Sequence, residues 1–233
     1  MTRKIEHKNM GKSNLGWLRS IFHFSFADYY NPDNMNFGVL RVINDDLVNA
    51  KTGFEMHPHR DMEIISYVVE GNLTHGDNME NKRSLSPGAV QYMSAGTGVM
   101  HSEHNLGEST SRFLQIWIVP DKKGYAPQYG DYQFDWHLRV DKWFKFVSSK
   151  EGDAPIQINQ DANIYAIEVS AENIVDFQVG NKRQAYLVLI EGDALVNSHH
   201  LLTRDALESI EENLTIKAVQ KSHILDIEME KSK

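Results

Sequence analysis

An all-β fold made from two copies of one module is predicted by short apolar segments, by the turn residues between them and by an internal repeat. The apolar segments are rich in β-branched and aromatic residues and are bounded by Gly, Pro, Asn or Asp. Regularly spaced short strands of this kind are typical of a β-sandwich or β-barrel. The clearest segments are residues 37–43, 63–69, 113–119, 164–169, 186–190 and 223–227.

The internal repeat joins two turn motifs and two strand motifs. Residues 69–73, which end a strand in a Glu-Gly turn, recur as residues 190–195, 121 positions later. Residues 85–91 resemble residues 202–208, which lie 117 positions later and in the same order. Two modules with one strand order would produce this pattern.

The repeat also suggests how the chain divides. We place an N-terminal domain at residues 1–133 and a C-terminal domain at residues 134–233. Residues 120–133, which contain Pro and Gly between charged residues, are interpreted as the linker region. Residues 203–212 fit a short amphipathic helix as well, but the repeat favours strand–turn–strand there.

The composition excludes several classes of protein. The 24 Lys and Arg side chains against 32 Asp and Glu give a formal net charge of −8, which opposes general binding to nucleic acid or to an anionic membrane. The absence of cysteine rules out disulfides, iron–sulfur clusters, zinc–thiolate sites and cysteine nucleophiles. No apolar run approaches the ~20 residues of a membrane span, and the first 14 residues do not resemble a secretory signal. We therefore expect a cytoplasmic protein that binds neither a membrane nor nucleic acid directly.

Two groups of metal-binding side chains stand out in the first half of the chain. His57 and His59 precede a strand, and His101 and Glu103 follow a glycine-rich turn. Side chains two residues apart on a strand point the same way, so each group can present two donors to one site. Three imidazoles and one carboxylate suit one divalent Fe, Mn, Co, Ni, Cu or Zn ion and do not suit Ca or Mg. A His-x-His pair alone is more often a surface or core pair, but the two groups together favour a metal site.

Several motifs in the same half of the chain form a specific combination. They are His23-Phe24-Ser25-Phe26-Ala27-Asp28-Tyr29-Tyr30-Asn31-Pro32, Leu40-Arg41-Val42-Ile43-Asn44-Asp45-Asp46, His57-Pro58-His59-Arg60, Gln91-Tyr92-Met93-Ser94-Ala95-Gly96-Thr97-Gly98 and His101-Ser102-Glu103. With Glu63 and Gly71 after the histidine pair, they resemble the two motifs of the cupin superfamily and, more closely, the pirin family.

The resemblance implies a bicupin, that is, two tandem jelly-roll barrels with one divalent transition metal in the first. In ordinary cupins the glutamate at the position of Glu63 commonly binds the ion, whereas in pirins the carboxylate comes from the second motif. The implied ligands are therefore His57, His59, His101 and Glu103, and Glu63 supports the site without binding metal.

The second copy lacks this ligand set. By the repeat offsets, the positions that correspond to the first histidine pair are Gln178 and Gly180, and those that correspond to the second group are Ala218 and Gln220. We therefore expect the C-terminal barrel to be structural and free of metal.

The resemblance also implies an activity. Bacterial pirin-like proteins include quercetin 2,3-dioxygenases, which cleave a flavonol with O2 and release carbon monoxide. A metal ion would favour ionisation of the flavonol 3-hydroxyl, and Glu103 is the candidate catalytic base that takes its proton. The alternative is a non-catalytic, metal-dependent pirin-type regulator that binds a protein partner.

Overall fold

The computed structural model describes residues 1–232 as two compact units. The N-terminal unit consists of Gly11–Phe134 together with Ile158–Gln160. The C-terminal unit consists of Met1–Met10, Asp135–Gln157 and the chain from Asp161 onward. None of the helices in the described part of the chain is long and apolar enough to cross a membrane.

Strands account for nearly all of the regular structure, and two short 3-10 helices occur at His7–Asn9 and Trp136–Arg139. The strands up to the end of the N-terminal unit are β1 (Thr2–Ile5), β2 (Gly11–Asn14), β3 (Leu18–Phe22), β4 (Leu40–Val48), β5 (Thr52–His59), β6 (Glu63–Glu70), β7 (Leu73–Asp77), β8 (Lys82–Leu85), β9 (Ala89–Ser94), β10 (Val99–Asn105), β11 (Ser111–Ile118) and β12 (Gln128–Gln133). The later strands are β13 (Phe144–Ser149), β14 (Ile156–Ile158), β15 (Ala162–Val169), β16 (Ile174–Phe177), β17 (Arg183–Glu191), β18 (Asp193–Val196), β19 (His199–Leu202), β20 (Ala206–Ile210), β21 (Leu214–Ala218) and β22 (Ser222–Glu230).

Each unit contains a seven-stranded and a four-stranded sheet. In the N-terminal unit the sheet orders are β12-β9-β6-β11-β4-β3-β2 and β5-β10-β7-β8. In the C-terminal unit they are β1-β20-β17-β22-β15-β13-β14 and β16-β21-β18-β19. The strands correspond one to one along the two orders, so the all-β prediction and the internal repeat are confirmed. The preference for strand over helix at residues 203–212 is also confirmed, since β19 ends at Leu202, a turn follows and β20 runs from Ala206 to Ile210.

The repeated Glu-Gly turn has a steric cause. Gly71, between β6 and β7, has a φ of +73°, and Gly192, between β17 and β18, has a φ of +107°. A Cβ at Gly71 would lie 2.9 Å from the Ser111 Cα, and one at Gly192 would lie 2.7 Å from the Ser222 Cα. Only glycine satisfies both the backbone angle and the close approach, which explains why this part of the repeat is visible in the sequence.

Two segments differ from the sequence-based expectation. The linker predicted at residues 120–133 is partly a strand, because β12 pairs with β9 at the edge of the seven-stranded sheet. The first ten residues belong to the C-terminal unit, because β1 pairs with β20 and Arg3 forms an ion pair with Glu208. Pairing between such distant segments leaves no local signal. The division into an N-terminal domain at residues 1–133 and a C-terminal domain at residues 134–233 stays a proposal.

The interiors of the two units differ in polarity. In the C-terminal unit, fifteen buried apolar residues form one continuous cluster. In the N-terminal unit the buried apolar residues include two smaller clusters, around Phe113 and around Met93. Buried polar side chains occupy much of the remaining interior of that unit. This polar interior contains the candidate site.

Candidate metal centre

The first histidine pair lies on an edge strand. His57 and His59 are on β5, which ends the four-stranded sheet and pairs only on one side, with β10. Pro58 lies between them and has no N–H to donate, so it is tolerated at an edge where one side of the strand is free. His57 is directly opposite His101 on β10. The two groups predicted from the sequence are therefore cross-strand neighbours.

Three imidazoles converge in this region. The ring centroids of His57 and His101 are 4.5 Å apart, and His59 lies 4.9 Å from each. One ring nitrogen from each residue lies within 4.8 Å of the other two. The His57 Nδ1 is 2.7 Å from the Glu55 carbonyl oxygen, which orients that ring as an outer hydrogen bond orients a metal-binding histidine.

His101 is the most informative of the three. Its side chain is fully buried, yet neither ring nitrogen has a hydrogen-bond partner. A buried polar group without a partner costs about 1–3 kcal/mol, so natural structures rarely keep one without a ligand, ion or water to satisfy it. The residues present thus fit a metal ion.

Burial also keeps His59 and His101 neutral. Burial lowers the pKa of His59 to about 4 and that of His101 to about 3, and the neighbouring imidazoles act in the same direction. At neutral pH both rings therefore keep a lone pair available for a metal ion, which binds the neutral form.

Glu103 is oriented by a hydrogen-bond network. Its Oε1 accepts from the Gln91 amide at 2.6 Å and from the Ser66 hydroxyl at 3.0 Å, and its Oε2 accepts from the Gln115 amide at 2.7 Å. The pairing of β10 with β5 shifts register between His101 and Glu103, where the extra residue lies on β5. β10 keeps a regular register with β7, so His101 and Glu103 stay on the same face of β10. Glu103 groups with His101 and His75 within 4.8 Å, whereas His57 and His59 group with His101 alone. His101 therefore belongs to both groups and connects Glu103 with His57 and His59.

His75 was not among the residues selected from the sequence. It is fully buried on β7, its ring centroid is 5.4 Å from that of His101, and its Nε2 is 2.9 Å from an oxygen of Asp77. Its Nδ1 has no partner. The His-x-Asp spacing is the one local signal for this residue, and it is too common to be interpreted without the fold.

Glu63 lies outside both clusters. Its Oε1 accepts hydrogen bonds from the Ser94 hydroxyl at 2.8 Å and the Asn159 side chain at 3.1 Å, and its Oε2 accepts from the Asn159 backbone N–H at 3.3 Å. These contacts hold residues 158–160 against the N-terminal unit. Whether Glu63 supports the metal site stays a prediction.

A row of polar side chains crosses the seven-stranded sheet of the N-terminal unit and contacts Glu103. Asn44, Gln115, Ser66 and Gln91 are successive cross-strand neighbours on β4, β11, β6 and β9. Three of these four side chains donate to Glu103. The row explains why the interior of this unit is polar where the C-terminal unit is apolar.

A cavity of about 270 Å³ opens beside the histidines. His57, His59 and Glu103 line it, and most of the remaining surface is apolar. The apolar lining residues are Leu15, Leu18, Phe22, Phe26, Ala27, Phe54 and Trp117. Phe22 and Phe26 both face this cavity.

The corresponding strands of the C-terminal unit carry apolar residues. By sheet order, β16 and β21 occupy the places of β5 and β10. Phe177, Leu214 and Ile216 on these strands belong to the buried apolar cluster. The repeat offset pointed to Gln178 and Gly180, which follow the end of β16, because the loops of the two units differ in length.

Both halves of this chain match the models of known protein families. The family model described as Pirin matches residues 4–118, and the one described as the quercetinase C-terminal cupin domain matches residues 146–229. A Pseudomonas aeruginosa protein, named provisionally as a quercetin 2,3-dioxygenase, is 43% identical over 231 residues, covering 98% of this chain and 100% of the relative. The quercetin 2,3-dioxygenase of Escherichia coli K12 is 38% identical over 217 residues, covering 92% and 93%.

A solved structure agrees over the whole length. The crystal structure of the bacterial pirin YhhW from Escherichia coli, in complex with nickel(II), has a TM-score of 0.93 and 34% identity and covers 100% of both chains. The two-barrel architecture, the sheet order and the identity of the relatives lead to one conclusion. The chain belongs to the pirin family of the cupin superfamily.

Proposed function

We propose that this protein is a metal-dependent dioxygenase that cleaves flavonols such as quercetin with O2 and releases carbon monoxide. The observation that carries the proposal is the unpartnered His101, buried within a cluster of imidazoles that line an apolar cavity. The names of the relatives support the same reaction class.

In this proposal one divalent ion is bound by His57, His59, His101 and Glu103. Neutral imidazoles and a carboxylate are suitable donors for Fe, Mn, Co, Ni, Cu or Zn. The ion, when bound, supplies Lewis acidity that favours the ionised 3-hydroxyl of a flavonol. His57 is oriented for this role by Glu55, and Glu103 by its three donors.

The cavity walls position the substrate. Phe22, Phe26, Phe54 and Trp117 present aromatic surface to the space beside the histidines. Flat aromatic rings fill such a space and displace water from it, which strengthens the electrostatic interactions inside.

Glu103 is the proposed catalytic base. Its Oε2 accepts one protein hydrogen bond, whereas Oε1 accepts two, so Oε2 has more capacity to take the 3-hydroxyl proton. The Gln115 amide on that oxygen fixes the direction from which a proton can arrive.

The test combines elemental analysis with turnover. Protein loaded with a single metal is incubated with quercetin under air, and flavonol loss is followed together with carbon monoxide in the headspace. Stoichiometric carbon monoxide that disappears on chelation supports the proposal. Metal-dependent binding of a protein partner by fully loaded protein that turns over no flavonol would instead support the regulatory function.

A further inference from the structure

Asn44 and Asp46 place two polar groups in the wall of the apolar cavity. Both lie on β4, two residues apart, and both line the cavity. Asp45, between them, faces the other side of the sheet and forms two hydrogen bonds with Arg112, at 2.9 Å and 2.7 Å. Because side chains alternate along β4, the Asp45 carboxylate pairs with Arg112 on one side of the sheet, and the Asp46 carboxylate faces the cavity on the other.

The two cavity-facing side chains have unused acceptor capacity. The Asn44 Oδ1 is buried and has no hydrogen-bond partner. The Asp46 carboxylate accepts from the Ser20 hydroxyl at 2.5 Å, across the β3–β4 pair. A carboxylate can accept several more hydrogen bonds, and the surrounding walls are mostly apolar. Among the described residues none donates to the Asn44 Oδ1, so its donor has to come from a ligand or from water, and the Asp46 carboxylate can accept from the same source.

Their position relative to the histidines follows from the sheet. Asn44 neighbours Gln115, whose amide contacts Glu103, and Asp46 lies two residues further along β4, a distance of ~7 Å. A ligand held by one oxygen at Glu103 and the histidines would thus place its outer ring hydroxyls near these acceptors.

We propose that the Asn44 Oδ1 and the Asp46 carboxyl group form an acceptor pair that selects ligands with hydroxyl groups on the rings remote from the metal-binding oxygens. The ligand class is polyhydroxylated flavonols in preference to the unsubstituted flavonol. The inference rests on the proposed function, because it assumes that a flavonol occupies the cavity. Burial raises the pKa of Asp46 to about 7, and in either protonation state one oxygen still accepts from a ligand hydroxyl.

The test compares quercetin with 3-hydroxyflavone, which has the 3-hydroxyl and carbonyl but no other hydroxyl group. Binding to the full, nickel-loaded chain is measured without oxygen, from quenching of tryptophan fluorescence, since Trp117 lines the cavity. We expect the wild type to bind quercetin ~10–100-fold more tightly, as is typical of hydrogen bonds to charged or unpaired groups.

The variants are Asp46→Leu and Asn44→Leu, with Asp33→Asn as the matched control because Asp33 is exposed. The two cavity variants should weaken quercetin binding toward that of 3-hydroxyflavone and leave 3-hydroxyflavone binding unchanged, while the control behaves as the wild type. Asn44→Leu alone provides the comparison if Asp46→Leu does not fold. Metal content is measured in every sample.

Equal affinities of the wild type for the two ligands would overturn the acceptor pair, and so would variants that weaken both ligands equally. A different result would contradict the proposed function. If no loaded sample turns over quercetin under air, but the binding preference and its loss in the variants persist, the acceptor pair is supported and the dioxygenase is not.

Discussion

At the scale of single residues, the candidate ligands have two kinds of environment. His101 is buried with both ring nitrogens unpartnered, whereas the carboxylate of Glu103 accepts three hydrogen bonds. The first arrangement leaves donor atoms available, and the second fixes the direction of a charge. A rigid carboxylate beside available imidazoles is what an ion of defined geometry requires.

Replacing His101 should therefore separate metal binding from folding. His101→Ala removes no protein hydrogen bond, so the protein should stay folded but lose its metal and its turnover together. Metal content from elemental analysis and thermal unfolding of the same sample check this result. His200→Ala, which alters an exposed histidine of the C-terminal unit, is the control and should keep the metal. A His101→Ala protein that retains full metal would contradict the assignment.

The two glutamates should behave differently. Glu63→Gln alters contacts with Ser94 and Asn159, so it should keep the metal and lose less activity than Glu103→Gln. Glu103→Gln removes the charge and the basic oxygen, and fully loaded protein should turn over flavonol ~10²–10⁴-fold more slowly. Turnover at a measured metal content is the readout for both. Metal loss caused by Glu63→Gln alone would restore the ordinary cupin ligand set.

At the scale of elements, the site depends on the close pairing of β5 with β10. Gly53 on β5 faces β10 near its register shift, and a Cβ there would lie 2.3 Å from the Glu103 carbonyl oxygen and 2.5 Å from the His104 Cα. Backbone atoms cannot rotate away as a side chain can. The absence of a side chain at Gly53 therefore lets the two ligand-bearing strands approach.

Gly53→Ala should push β5 away from β10. We expect a loss of about 1–3 kcal/mol in the free energy of unfolding, as for other overpacked sites, together with weaker metal retention. Urea unfolding and competition with a chelator measure the two effects. Gly130→Ala on β12 is the control, because no heavy atom lies within 4 Å of a Cβ there. Equal behaviour of the two variants would show that the strands have room to adjust.

At the scale of the whole molecule, one strand order supports two different interiors. The N-terminal unit has a polar row and both clusters of metal-binding side chains found within residues 1–232. The C-terminal unit has an apolar cluster, and Asp226 on β22 is the cross-strand partner of Leu187, a member of that cluster. Asp226 is fully buried, and neither of its carboxylate oxygens has a hydrogen-bond partner.

Asp226 should make stability depend on pH. Burial raises the pKa of Asp226 well above its usual value, and the nearby Glu228 acts in the same direction. The folded form holds a proton that the unfolded chain releases above pH ~4, so stability is fully present below that pH and is lost as pH rises toward the folded pKa. One such proton contributes at most about 1.4 kcal/mol per pH unit.

Asp226→Asn should flatten this dependence, because an amide does not titrate. Urea unfolding of the variant and of the wild type between pH 5 and 8 provides the comparison. Glu151→Gln, at an exposed position of the same unit, should leave the slope unchanged. An identical slope in Asp226→Asn and the wild type would show that Asp226 is already ionised in the folded protein.

The sequence by itself determined the features that have a local cause. Strand segments are visible because side chains alternate and turns need particular residues, as at Gly71 and Gly192, where φ is positive and space is absent. The spacing of two in His57-x-His59 and His101-x-Glu103 likewise fixes which side chains share a face of a strand. These local rules were enough to predict an all-β repeat and the two groups of candidate metal ligands, and the family resemblance then favoured Glu103 over Glu63.

Only the tertiary structure decided what depends on contacts between distant segments. It placed β1 in the C-terminal unit, β12 in a sheet rather than a linker, and His75 beside His101. It also brought Asn44 and Asp46 into the cavity wall opposite Ser20 and Phe22, far from them in the chain. The physical reason is that pairing and burial are set by the whole sheet, whereas alternation and turn geometry are set by a few neighbouring residues.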